Sequence, residues 1–317
     1  MVKFGIQHPN FTYDGVGHEI FQSVKKQALI AETSGVDSFW VMDHFHQIHY
    51  QGKPEEPMLE GWAILAALSS VTNRIRLGTL VTGNFYRNPA ILAKMGATVD
   101  AISNGRLFMG IGAGWYEAEA QAYGIPIYTA AQRLNMLGEA LQIIKGMWTK
   151  PSFTFQGKHY FVKDALCEPK PVQKPHPPIL VGGGGEKVTL KLVAKHGDAC
   201  NVFGGPQTIK DKYEKLREHC RTVGRNYDEI LKTRTGTLLI GSDENEVSQL
   251  VKKYRGPAQT EEAFNEAMTY GTPERVIEKI LELIDAGAQY LIFNLAARDS
   301  EKVLRLFVEK VIPKVST

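Results

Sequence analysis

Apolar residues recur along this chain in two alternating modes. Short, nearly unbroken apolar runs are followed by polar loops, and then by longer stretches whose apolar positions fall three and four residues apart. The first mode reads as strands covered on both faces, the second as amphipathic helices packed over them. Strands are expected at residues 3–7, 38–42, 75–81, 106–111, 178–181, 199–203, 233–240 and 289–295. Between them the pattern predicts helices at about 18–34, 62–71, 89–102, 132–148, 186–196, 208–223 and 273–286, and a last one at about 300–311. Gly35 and Gly287 stop two of these helices, and Pro89 suits a first helical turn.

Eight strand–helix units imply a parallel α/β fold. They favour a closed (β/α)8 TIM barrel over an open doubly wound sheet. The whole chain, 1–317, reads as one such barrel with insertions near 149–178 and 242–270. The first insertion carries Phe153-Thr154-Phe155, a Gln156-Gly157-Lys158 turn and His159-Tyr160-Phe161-Val162, a hairpin pattern, and then a proline-rich run. The second carries charged helical stretches at 244–254 and 260–268.

Charge narrows the functional classes. With 37 basic and 34 acidic residues the net charge is +3, too balanced to suggest a nucleic-acid or membrane-surface partner. Cys167, Cys200 and Cys220 are widely spaced and suggest a reducing compartment. No secretory leader pattern opens the chain and no apolar window is long enough to span a bilayer, so cytoplasmic residence is expected.

Barrels bind ligands at the C-terminal ends of their strands. Here those ends are Gln7-His8, Asp43-His44, Thr79 to Thr82, Gly112-Ala113-Gly114-Trp115, Gly182 to Gly185, Phe203-Gly204-Gly205 and Asn294. They are rich in small residues and poor in charge, which suits a flat cofactor lying against backbone. Gly182 to Gly185 sit between a strand and a helix start, where backbone N–H groups can face a phosphate. Asp43-His44 places an acid beside an imidazole, a candidate acid/base pair. His44-Phe45-His46 could begin a metal site, but later strand ends supply no further ligands, so no metal is expected.

Several of these segments resemble the luciferase-like monooxygenase superfamily. They are Leu77-Gly78-Thr79-Leu80-Val81-Thr82, Tyr86-Arg87-Asn88-Pro89, Ser103-Asn104-Gly105-Arg106-Leu107 and Gly110-Ile111-Gly112-Ala113-Gly114-Trp115, together with Asp43-His44-Phe45 and the strand-five glycines before His196-Gly197-Asp198. The F420-dependent branch is the nearest in pattern. The resemblance implies a barrel that binds the deazaflavin coenzyme F420, with FMN as the alternative. It implies that Asp43 contacts the deazaflavin, that His44 is the acid/base, and that a non-proline cis peptide at Leu80-Val81, within Thr79 to Thr82, backs the ring. Ala113, Gly114 and Gly183, Gly184 and Gly185 would hold the coenzyme's tail, and Gln7, His8 and Trp115 would face the substrate. Sugar-phosphate dehydrogenases of this branch carry a tryptophan where Ile48 stands and a glutamate where Trp115 stands, so sugar-phosphate oxidation is not expected.

The expected activity is hydride transfer between F420 and an organic substrate, in a homodimer. Three other readings remain open: an FMN monooxygenase fed by a partner reductase, a metal-dependent hydrolase and a coenzyme-storing module.

Overall fold

The structure is a computed structural model that describes residues 2–13, 18–49, 51–256, 259–295 and 300–315. Its elements run β1 (Lys3–His8), α1 (His18–Thr33), β2 (Ser38–Val41), α2 (Gly61–Val71), β3 (Arg76–Thr79), β4 (Thr82–Gly83), α3 (Pro89–Ile102) and β5 (Leu107–Gly112). Next come α4 (Glu117–Ala122), α5 (Ala130–Thr149), β6 (Phe153–Gln156), β7 (Phe161–Ala165), β8 (Ile179–Gly182), α6 (Thr189–His196), β9 (Ala199–Val202) and α7 (Pro206–Val223). The chain ends with β10 (Leu231–Ile240), α8 (Glu244–Tyr254), α9 (Glu261–Ala267), β11 (Met268–Gly271), α10 (Pro273–Asp285), β12 (Tyr290–Leu295), α11 (Ser300–Leu306) and α12 (Ile312–Val315).

Parallel pairing runs β1-β2-β3-β5-β8-β9-β10-β12, and β12 closes back on β1. This is the (β/α)8 barrel that the hydrophobic pattern predicts. Its strands are buried along nearly their whole length because side chains fill both faces. Trp40, Leu80, Phe108, Leu180, Tyr290 and Ile292 pack inside, and the main apolar layer lies between strands and helices. The helix starts follow local chemistry. Asn88 caps α3 ahead of Pro89, and Thr129 with Gln132 forms a capping box on α5.

The third strand differs from its expected span. It stops at Thr79, passes through a cis peptide at Leu80-Val81 and resumes as β4, which pairs with β5. Neighbouring strands make room for this excursion by lacking side chains. A Cβ on Gly110 would lie 1.8 Å from the Thr79 carbonyl oxygen, and one on Gly182 would lie 2.8 Å from a Val81 methyl. Gly110 of β5 and Gly182 of β8 therefore answer first to the adjacent chain.

The segment after α9 also departs from expectation. Met268, expected to end a helical stretch, and residues 269–271, which lie between two expected helices, form β11 on the outer edge of β10. The first part of β10 pairs with β9 and its last part with β11, so the barrel splays above Val202. Arg234 fills the splay and donates to the Gly204 carbonyl (3.1 Å), Thr269 Oγ1 (3.2 Å) and the Glu266 carbonyl (3.3 Å). Burial pushes its guanidinium down to about 10. The hairpin of the first insertion forms as β6 and β7, with its second strand two residues later than the pattern suggests. Among the described residues no helix is long and apolar enough to cross a membrane.

Candidate functional site

The C-terminal strand ends enclose a cavity of about 510 Å³. Of the expected site residues, Gln7, Asp43, His44, Leu80, Val81, Ala113, Gly114, Trp115 and Gly183 line it. They are delivered by the ends of five strands, β1, β2, β3, β5 and β8, or by the turns that follow. The Leu80-Val81 bulge forms one wall and the nearly side-chain-free segments Gly112 to Gly114 and Gly182-Gly183 form its continuation. Gly114 has φ +75° and lies against Phe85, where a Cβ would meet the ring at 2.3 Å. Gln7 reaches across the barrel and donates from Nε2 to the Leu80 carbonyl at 2.7 Å, tying β1 to the bulge.

Five other expected site residues stand back from the cavity. His8 points away from the barrel interior because successive strand side chains alternate in direction. It is fully buried, 2.6 Å from Tyr13 OH, and burial pushes its imidazole down to about 4. Thr79 and Thr82 lie behind the bulge. Their hydroxyls are 2.9 Å apart, Thr79 donates to the Gly110 carbonyl, and Thr82 accepts from Trp62 Nε1. Gly184 and Gly185 belong to the turn beyond the lining. The helix after the glycines starts at Thr189 rather than 186, and the Gly184 carbonyl accepts from Lys212 Nζ at 3.0 Å.

Asp43 is buried and both its oxygens are taken by Arg87, at 2.7 and 2.9 Å. Burial pushes the Asp43 carboxyl upward against the pull of that guanidinium. Arg87 also donates to Glu60, and the two carboxylates outweigh burial in holding Arg87 charged. The acid of the Asp43-His44 pair thus anchors the loop after β3 and does not touch the imidazole next to it.

The imidazole has a different partner. His44 Nδ1 lies 2.8 Å from Oε2 of Glu119, on α4. The same carboxylate accepts from Tyr86 OH (2.5 Å) and from the backbone N–H groups of Phe45 (2.6 Å) and His46 (3.2 Å). Burial pushes Glu119 up, but these hydrogen bonds prevail and hold it below the ordinary carboxylate range. Trp115 stands edge-on to His44 at 5.9 Å and stacks on Tyr116. Glu119 is the residue that sequence reasoning missed. Glu117, two positions earlier, is exposed, and nothing in the local pattern separates the two. Only contact with a loop 75 residues away does so.

Tyr86, Ile48, Asn201, Phe203 and Asn294 complete much of the lining. Phe203, Asn294 and Gln51 also border a second cavity of about 940 Å³, over the splayed ends of β9, β10 and β12. Asn294 Oδ1 is buried at this shared wall and has no hydrogen-bond partner among the described residues. Among the described residues no three potential metal ligands come together.

Comparison with known proteins follows the same lines. A family model described as luciferase-like monooxygenase matches residues 2–266. An F420-dependent glucose-6-phosphate dehydrogenase of Amycolatopsis mediterranei (strain U-32) is 29% identical over 314 residues, covering 91% of this chain and 92% of that protein. Among solved structures, an F420-dependent secondary alcohol dehydrogenase in complex with an F420–acetone adduct superposes with a TM-score of 0.86 at 22% identity, covering 99% of both chains. The oxygenating constituent of 3,6-diketocamphane monooxygenase from Pseudomonas putida, in complex with FMN, superposes with a TM-score of 0.77 at 21% identity, again over 99% of both chains.

Proposed function

This chain belongs to the luciferase-like monooxygenase family, and from that premise we propose that it is an oxidoreductase that moves a hydride between coenzyme F420 and an organic substrate. One observation carries the reading. The cavity joins a wall nearly free of side chains to a single imidazole whose far side is held by a buried carboxylate. Such a site has little to offer as a nucleophile or metal centre, and much to offer a flat cofactor.

The residues present fit a deazaflavin. Leu80 and Val81 give an apolar backing, and Gly112, Gly114, Gly182 and Gly183 allow close approach to backbone. Asn294, with its unpartnered Oδ1, offers a hydrogen-bond acceptor at the edge. The Gly183 N–H is spent on the Asn201 carbonyl at 3.0 Å, so the Thr189 side chain at the lining and the N–H groups of Gly184 and Gly185 just beyond it would face the phosphate-bearing tail. When bound, the coenzyme supplies the redox chemistry by taking up or giving up a hydride. His44 holds or releases the accompanying proton. Trp115 and Tyr86 exclude water and favour a flat or apolar substrate face, and the adjoining cavity past Asn294 and Phe203 gives the rest of the substrate room.

The Amycolatopsis relative is named as a glucose-6-phosphate dehydrogenase. The aromatic Trp115 beside His44 argues for a different substrate. The second reading is FMN-dependent oxygenation, favoured by the same flat wall and by the family's FMN-bound structural relatives. Homodimer assembly and cytoplasmic residence belong to the proposal as well, and light scattering on the purified protein tests the former. Incubation with F420 and a panel of alcohols, and with reduced F420 and the matching carbonyls, tests the activity. A change in deazaflavin absorbance supports the reading, and turnover confined to reduced FMN with dioxygen replaces it.

A further inference from the structure

Glu119 has no exposure, yet it sits in the first turn of a short helix outside the barrel rather than in a strand. A carboxylate in such a place must be fully used, because an unpaired buried charge is expensive. It is used by donors from two loops, the one after β2 and the one after β3. Its Oε2 takes His44 Nδ1 and Tyr86 OH, and its Oε1 takes the N–H groups of Phe45 and His46. A neighbouring acid, Glu117, is exposed and pairs with Arg133 at 3.1 Å. The two acids of α4 thus divide into a solvent-facing one and one turned into the loop that follows β2.

A carboxylate accepts hydrogen bonds and, while ionised, donates none. The ring nitrogen facing it must therefore carry the hydrogen. The other ring nitrogen, Nε2, is then the one left to the cavity that His44 lines. We propose that Glu119 is the positioning residue of this site: it fixes neutral His44 as the Nδ1–H tautomer, so that Nε2 meets the substrate as a proton acceptor. The two backbone N–H groups keep the carboxylate in register with the loop, so ring orientation and loop position are set by one side chain. Tyr86, which also lines the cavity, is the fourth donor and ties the loop after β3 to the same carboxylate.

The role assigned to Nε2 rests on the proposed hydride transfer, in whose oxidative direction a substrate hydroxyl gives its proton to His44. The tautomer does not rest on it and can be read without any cofactor. Long-range ¹H–¹⁵N correlation spectra of uniformly labelled, cofactor-free protein identify which nitrogen of neutral His44 is protonated. Protonated Nδ1 is the expected result, and protonated Nε2 in the unaltered protein overturns the proposal. Glu119→Gln can turn its amide N–H toward Nδ1, and the expected outcome is a switch to Nε2–H with a circular dichroism spectrum like that of the parent. A folded Glu119→Gln protein that retains Nδ1–H also overturns the proposal. Tyr86→Phe leaves the contact to the ring in place and should retain Nδ1–H. Should Glu119→Gln fail to fold, the parent spectrum decides.

With F420 and a working substrate, Glu119→Gln should lose about 10²–10⁴-fold in kcat, the range for a lost acid/base group, with F420 affinity close to the parent's. The Nδ1–H tautomer together with absent F420 binding would sink the F420 reading and leave the positioning role standing.

Discussion

The carbonyl oxygen of Thr79 occupies the place where Gly110 has no side chain, 1.8 Å from where a Cβ would be built. Backbone oxygen cannot swing aside as a long side chain can. Gly110→Ala must therefore move β5 or the chain entering the Leu80-Val81 bulge. Overpacking of this kind costs roughly 1–3 kcal/mol. Urea unfolding of Gly110→Ala should show a loss of that size, together with weaker cofactor binding because the bulge forms a cavity wall. Gly256→Ala meets none of the described residues within 4 Å and has no positive φ, so it should stay within about 0.5 kcal/mol of the parent.

Arg87 holds both oxygens of buried Asp43. Arg87→Met leaves that carboxylate without its counter-charge, and breaking a buried pair in this way costs about 3–5 kcal/mol. Asp43→Asn should be milder, because Arg87 keeps Glu60 and leaves less uncompensated charge. Equilibrium unfolding at neutral pH gives the order. Equal losses for the two variants would mean that the pair is not the main support of this loop.

His8 gives the fold a pH dependence with a definite sign. Its imidazole falls from 6.5 to about 4 in the folded protein. Between those values the unfolded chain binds the extra proton and the folded chain does not, so stability rises with pH across the window and is lost as pH falls through it. The full effect is roughly 3 kcal/mol for such a shift. His196 falls to about 4 as well and acts in the same direction. His8→Gln should therefore reduce, not abolish, the difference in unfolding free energy between pH 7 and pH 4.5. An unchanged difference would count against the burial of a neutral His8.

His44→Gln retains a neutral side chain at the cavity edge but no imidazole. Turnover of an identified substrate should fall by about 10²–10⁴-fold while cofactor affinity changes little. If both fall together, His44 is part of the binding wall and not the proton carrier.

Much of the barrel is legible in the chain because strands buried on both faces leave unbroken apolar runs, and amphipathic helices leave a different period. Knowing the strand ends places Gln7, Asp43, His44, Trp115 and Gly183 at one mouth. Parity at a strand end is harder to read: Gln7 faces inward and His8 outward, though both are polar. Thr79 and Thr82 lie near the cofactor wall in sequence but spend their hydroxyls behind it. β11 is four residues long, too short for a period to show, and is fixed by pairing with β10. Glu119 escapes for the same kind of reason, since the donors that identify it arrive from two distant loops.

Equilibrium titration tests most directly whether the cavity of about 510 Å³ takes a deazaflavin. The purified protein is titrated with F420 and, separately, with FMN, following Trp115 and the other tryptophans by fluorescence. Saturable binding of F420, tighter than FMN and weakened by Gly114→Leu, which would drive a side chain into Phe85, is the predicted result. Tight FMN binding with no response to F420 would contradict it.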